Sequence, residues 1–238
     1  VSTMDKVTYA DDTTAAVPSA NLSLARDGLA ASSAKANGLP VVEPPAATPT
    51  PQTFDIPGPA PNTGYFGGGY IGPSRTATMD KVTYTSDTTA AVPGANLSLA
   101  RYSLAATGNS TAGYFGGGSP GPRSTMDKVT YASDTTAPLP SGANLSSARY
   151  GVAATGNSTH GYFGGGYPSS IAATMDKVTY ASDTTAAVPG ANLSLARRFL
   201  AATGNSTHGY FGGGGNMPVK TTMDKVTYAS DTTAAVPG

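Results

Sequence analysis

The chain repeats itself, and that periodicity constrains its fold more than any other feature. The block Met-Asp-Lys-Val-Thr-Tyr begins at Met4, Met79, Met126, Met175 and Met223, and Tyr-Phe-Gly-Gly-Gly begins at Tyr65, Tyr114, Tyr162 and Tyr210. From Met79 onward a copy follows about every 48 residues, a period that belongs to propellers and solenoids. The copies are close to identical: residues 78–101 and 174–197 differ only at Thr85 against Ala181. Whatever one unit folds into, its neighbours fold into as well.

Within a unit the pattern is strands and turns. Residues 102–107 read as a first strand, ended by the turn Gly108-Asn109-Ser110. Residues 113–117 read as a second strand, with Tyr114 and Phe115 on opposite faces. Residues 125–132 alternate Met126, Lys128 and Thr130 against Asp127, Val129 and Tyr131, the period of two expected of a third strand rich in β-formers. Ser133-Asp134-Thr135 is a turn in which the Asp can bond its own backbone two residues on, and residues 136–139 make a short fourth strand ended by Pro140. Leu-Ser-Leu-Ala has the look of a helical turn but is too short to stand alone. The expected fold is all-β: a β-propeller of four-stranded blades, about five in number, incomplete or closed by further sequence or a partner. There is no Trp, and the apolar residues are rich in Ala, so each blade must lean on its neighbours for a core.

The unit boundaries follow from the register. Residues 1–26 form an outer half-blade, and full blades occupy 27–100, 101–148, 149–196 and 197–238 within a single repeat domain. Met4 and Met79 lie 75 residues apart, and the excess falls in a Pro-rich insertion at 33–63, which reads as an extended surface loop. The isolated half-blade needs an inner strand pair, supplied by more sequence or by a neighbouring chain.

Composition narrows the chemistry. Fourteen basic residues balance 14 acidic ones and only 12% of residues are charged, which weighs against a nucleic-acid-binding surface. Without Cys there are no disulfides or thiolate metal sites, and the expectation is no cofactor. No apolar run is long enough to cross a membrane as a helix, so no membrane insertion is expected. The glycine run lacks the strand–helix context of a dinucleotide fingerprint and reads as strand-exit turns, where backbones converge. Asp127, Asp176 and Asp224 offer one carboxylate per unit, a weak calcium ligand set, and read as structural. Asn109, Asn157 and Asn205 sit in Asn-Ser-Thr and read as turn residues rather than glycosylation sites. No Ser-His-Asp set or facing carboxylate pair can be assembled, so the chain is not expected to be an enzyme. The candidate surface contacts are His160 and His208, at matching positions before the second strand, together with Tyr70 and Tyr167.

Tyr-Phe-Gly-Gly-Gly, the Asp-Lys-Val-Thr-Tyr strand, the Ser-Asp-Thr-Thr turn and the closing Leu-Ala-Arg, taken in order, resemble kelch repeats, although the Trp usual in such blades is missing. Gly-Tyr-Phe-Gly-Gly-Gly, Leu-Ala-Ala-Thr-Gly-Asn and Asp-Lys-Val-Thr-Tyr are similar to the repeats of structural proteins in marine tailed phages, notably those infecting cyanobacteria, over nearly the whole chain outside 33–63. This resemblance implies a virion component of the tail or tail fibre. It would attach to host-surface glycan or act as an architectural spacer assembling by strand exchange. The implied partners are other virion proteins, copies of itself and host envelope polysaccharide.

Overall fold

In the computed structural model of the protein, residues 5–8, 13–17, 20–23, 27–33, 62–215 and 219–237 are described. The Pro-rich insertion, apart from its ends, lies outside the described residues. The chain builds four four-stranded antiparallel sheets, each from one repeat unit. The first contains β3 (Ala30–Ser33), β4 (Thr63–Gly67), β7 (Met79–Thr83) and β8 (Thr88–Ala91), with the small ribbon β5 (Tyr70–Ile71) and β6 (Ser74–Arg75) between β4 and β7. The second runs β9 (Ala105–Gly108), β10 (Ala112–Gly116), β11 (Met126–Thr130) and β12 (Thr135–Pro138). The third runs β13 (Ala153–Gly156), β14 (His160–Gly164), β15 (Met175–Thr179) and β16 (Thr184–Ala187). The fourth runs β17 (Ala201–Gly204), β18 (His208–Gly212), β19 (Met223–Thr227) and β20 (Thr232–Val236). At the N-terminus β1 (Asp5–Thr8) and β2 (Thr13–Ala16) form a two-stranded sheet.

Strand order in each sheet is sequence order, and the register repeats: Phe115 faces Asp127 in the second sheet as Phe163 faces Asp176 in the third. The leading strands β3, β9, β13 and β17 lie side by side in succession, so neighbouring units meet along them. Leu-Ser-Leu-Ala forms no helix. A single 3-10 turn precedes it instead, at Pro93–Ala95 and Pro189–Ala191, and another, Ser141–Ala143, precedes the corresponding Leu-Ser-Ser-Ala.

The core lies between sheets rather than within them. One buried cluster joins Tyr65 and Met79 of the first unit to Phe115, Val129 and Tyr131 of the second. Equivalent clusters join Tyr114 and Met126 to Phe163, Val178 and Tyr180, and Tyr162 and Met175 to Phe211, Val226 and Tyr228. Alanine-rich sheets gain enough apolar contact only this way.

Three polar devices fix each joint. First, Tyr65 and Lys81 both donate to Asp134 of the next unit; Tyr114 and Lys128 hold Asp183, and Tyr162 and Lys177 hold Asp231. The tyrosines stack on Tyr131, Tyr180 and Tyr228 with ring centroids 4.8–4.9 Å apart. This corrects the local reading of the Asp turn: Asp134, at φ 50°, gives its carboxylate to the preceding unit. Asp and Lys of the third strand point to opposite faces, as alternation requires, and serve different partners.

Second, Arg101, Arg149 and Arg197 are fully buried, and each donates to the equally buried Asp127, Asp176 or Asp224 at 2.5–2.6 Å. The same guanidinium donates to two backbone carbonyls, Thr174 and Phe163 in the case of Arg149. These carboxylates are thus neutralised structural groups and do not form a cation ring. Burial pulls Arg101 and Arg149 below the ordinary arginine range, with the Asp charge opposing it. Third, Thr136, Thr185 and Thr233 on the outermost strands donate to Ala95, Ala143 and Ala191 in the preceding unit's 3-10 turn.

The clasp predicts a pH profile. Burial, then the adjoining carboxylate, pushes the phenols of Tyr65, Tyr114 and Tyr162 above their ordinary value, and burial does the same to Tyr180 and Tyr228. Burial raises Asp183 and Asp231, but the hydrogen bonds from their Lys and Tyr partners outweigh it and leave both carboxyls below the usual range. A raised phenol costs stability only once the unfolded chain ionises, above about pH 10. A lowered carboxyl contributes stability above about pH 4 that is lost as pH falls through its folded value. From these groups alone, stability falls on the alkaline side and on the acid side. In an alkaline titration these five tyrosines should be missing from the tyrosinate absorbance rise near pH 10 and appear only as the β circular dichroism is lost. Their ionisation while the fold is intact would contradict the clasp.

Candidate functional site

Where the leading strands meet, one residue per unit forms a backbone chain across the inner edge. Ser103 N–H donates to the Gly28 carbonyl at 2.6 Å, Gly151 to Ser103 at 2.8 Å, and Phe199 to Gly151 at 2.8 Å. All four residues hold left-handed φ, between 54° and 66°. Glycine adopts this freely, but Ser103 and Phe199 carry side chains there, and an aromatic residue in this region is strained. Such strain concentrates where a site needs a side chain in a fixed place.

Ser103 and Phe199 line a cleft of about 350 Å³, together with Asp27, Gly28, Tyr70 and Tyr102. That volume lies at the small end of the range for ligand sites. Tyr70 and Tyr102 pack tilted with centroids 5.2 Å apart, on the first and second units. Phe199 is 55% exposed at the rim. Beyond it the aromatic surface continues: Tyr150 lies 6.1 Å from Phe199 and 5.5 Å from Tyr167. The Arg198 guanidinium sits 4.7 Å over the Tyr167 ring and donates to the Tyr150 hydroxyl at 3.1 Å.

The repeat departs from itself here. In register, the position of Asp27 is held by Tyr102, Tyr150 and Arg198, and that of Gly28 by Ser103, Gly151 and Phe199. The position of Tyr70 is held by Ser119, Tyr167 and Gly215. Units that match almost residue for residue in their sheets thus present different side chains at one end of the array.

Of the residues expected to form surface contacts, Tyr70 and Tyr167 lie on this aromatic end. His160 and His208 do not: they begin β14 and β18, whereas Tyr167 follows the far end of β14. Each imidazole Nδ1 lies 2.8 Å from the preceding Thr hydroxyl, at the turn organised by Asn157 or Asn205. Burial and then Lys177 lower the His160 pKa, with Asp231 opposing. The Asn side chains accept from the backbone two and three residues on, the turn role expected of them. Asp27, Tyr102, Ser103 and Phe199 were not singled out from the sequence, although their departure from the repeat marks them.

The cleft offers aromatic faces, one carboxylate and a hydroxyl, with a guanidinium nearby, and among the described residues no group of three metal-ligating side chains. It is equipped to bind a polyhydroxylated ligand by stacking and hydrogen bonding. No protein-family model matches the chain, and no curated protein matches it either.

Proposed function

We propose that the chain is a non-enzymatic structural and adhesive component of a phage particle, associated with the tail or its fibres, which binds host-surface glycan through the cleft at its inner edge. In this reading the units are blades of a kelch-like ring of five positions, four of them whole sheets and one begun by β1–β2. The observation that carries the adhesive reading is the departure of the repeat from itself at an aromatic end containing Tyr70, Tyr102 and the strained Phe199. Aromatic rings lie flat against the apolar faces of sugar rings, while Asp27 and Ser103 suit sugar hydroxyls. One cleft of this size binds weakly, and display of many copies on a particle would raise the avidity. A second reading, an architectural spacer, draws support from the two-stranded β1–β2 ribbon, which no further strand extends among the described residues.

Binding to cyanobacterial envelope polysaccharide decides between them. The adhesive reading expects saturable binding by calorimetry, weakened at least tenfold by Tyr102→Ala or Phe199→Ala with the melting temperature kept within a few degrees. Absence of binding, or binding indifferent to both changes, would leave the spacer reading.

A further inference from the structure

We infer that the chain has a docking site for one strand pair of its own repeat, a Leu-Ala-Ala-Thr-Gly strand followed by a Gly-Tyr-Phe-Gly strand. The inference rests on the ring reading above but not on glycan binding. It starts from what each joint covers and what is left uncovered at the ends.

At three joints the small second-strand glycine makes room for the next unit. A Cβ on Gly67, Gly116 or Gly164 would come within 3.0 Å of Phe115, Phe163 or Phe211, and Met79, Met126 and Met175 are fully buried alongside. On the fourth sheet the same surface is bare. The nearest atom to a Cβ on Gly212 is Met223 Cε at 3.6 Å, and Met223 is 43% exposed. Among the described residues neither Tyr210 nor Lys225 has the Asp partner that their counterparts hold. The fourth sheet therefore presents the receiving half of an interface made three times elsewhere in the molecule.

The opposite half is exposed on the first unit. Tyr84 is 37% exposed, whereas its counterparts Tyr131, Tyr180 and Tyr228 are buried beneath the tyrosine of the preceding unit. Part of that preceding unit is already in place. Lys6 of β1 pairs with Asp87 at 2.7 Å as Lys81 pairs with Asp134, and Thr89 donates to the Ala20 carbonyl as Thr136 does to Ala95. The ribbon β1–β2 thus occupies the place of the outer half of a sheet, and among the described residues no strand pairs with the other edge of β1.

What fits is consequently an inner strand pair and not a whole sheet, which would collide with β1–β2. An intact second copy has its inner pairs committed to its own sheets. The cleft supports a common gap, since Phe199 of the fourth unit and Asp27 and Gly28 of the first line the same space. In the docked pair the tyrosine would stack on Tyr84 and reach Asp87. The phenylalanine, on the other face, would pack against Gly212 and Met223.

The test uses the full chain and a labelled peptide of residues 101–118, which carries Tyr114 and Phe115. Fluorescence anisotropy should show saturable one-to-one binding, with the melting temperature of the protein raised. Peptide Phe115→Ala and peptide Tyr114→Ala should each weaken binding at least tenfold. Gly212→Val in the protein, where there is room for the side chain, should leave the melting temperature unchanged and abolish binding. Loss with Phe115→Ala but not with Tyr114→Ala would retain docking on the fourth sheet while overturning the ring. Absence of binding, binding unaffected by Gly212→Val, or a protein that sediments as a dimer without peptide and buries Met223 would overturn the docking site.

Discussion

Replacing Arg149 with Met should destabilise the protein by about 3–5 kcal/mol, the usual cost of leaving one member of a buried ion pair without its partner. Arg149 and Asp176 are fully buried and joined at 2.5 Å, and the guanidinium also satisfies the carbonyls of Thr174 and Phe163. With Met in its place, Asp176 keeps only the long bond from Ser146 N–H at 3.2 Å, and its charge must be desolvated or neutralised by a proton. The double variant Arg149→Met, Asp176→Leu should recover at least half of the loss. A buried pair is costly to break but contributes little over apolar side chains of similar size. Among the described residues none donates to Asp176 Oδ1. Thermal and denaturant melts measure both variants. A loss below about 1 kcal/mol for the single change, or a double variant no better than the single, would contradict a structural role for the pair. The pair's position also gives it reach. It anchors the chain as it enters a unit to that unit's third strand, and in an array held by nearest neighbours a weakened central unit uncouples both sides.

The extent to which the sequence announced this fold follows the range of the interactions involved. Strands came through because their signal is local: the alternation around Val129 anticipates Met126–Thr130, and the tyrosine–glycine block anticipates Ala112–Gly116. The first strand was anticipated from residue 102, yet β9 begins at Ala105, because Ser103 bends into the left-handed region to reach Gly28. Nothing within one unit shows that demand, since it arises only when units are set side by side. The same holds for Asp134, whose partners Tyr65 and Lys81 lie 69 and 53 residues away. Periodicity says that a joint exists but not which atoms close it. At the cleft, Tyr70 and Tyr167 stand out as large side chains flanking glycine runs. His160 and His208 stand out by their matching positions before the second strand, a recurrence in sequence that does not say which end of the unit they occupy. Phe199 was the informative residue: in register it replaces Gly28 and Gly151 at a position the backbone prefers to leave to glycine.

The glycine runs lend themselves to a graded experiment, because the repeat supplies its own controls. Gly117→Ala should lower stability by about 3 kcal/mol, from two sources. Its φ of 73° is strained for any residue with a Cβ, which costs roughly 1–2 kcal/mol, and that Cβ would lie 2.7 Å from the Arg149 carbonyl oxygen. A backbone oxygen cannot step aside as a side chain can, least of all one that accepts from Gly118 N–H at 2.9 Å. Gly213 occupies the same place in the fourth unit at φ 67°, but no further unit packs there, and the nearest atom to its Cβ is 3.8 Å away. Gly213→Ala should therefore incur the conformational strain alone, about 1 kcal/mol. Gly142 has ordinary φ and open space around it, so Gly142→Ala should be neutral or slightly stabilising through the unfolded chain. For a chain of this size the expected order corresponds to a fall in melting temperature of roughly 6–12 °C, then a few degrees, then none. Equal losses for Gly117→Ala and Gly213→Ala would mean that the glycine is retained for its dihedral angle alone. A larger loss at Gly117 ties it to the approach of the next unit, the same approach that leaves the fourth sheet's surface uncovered.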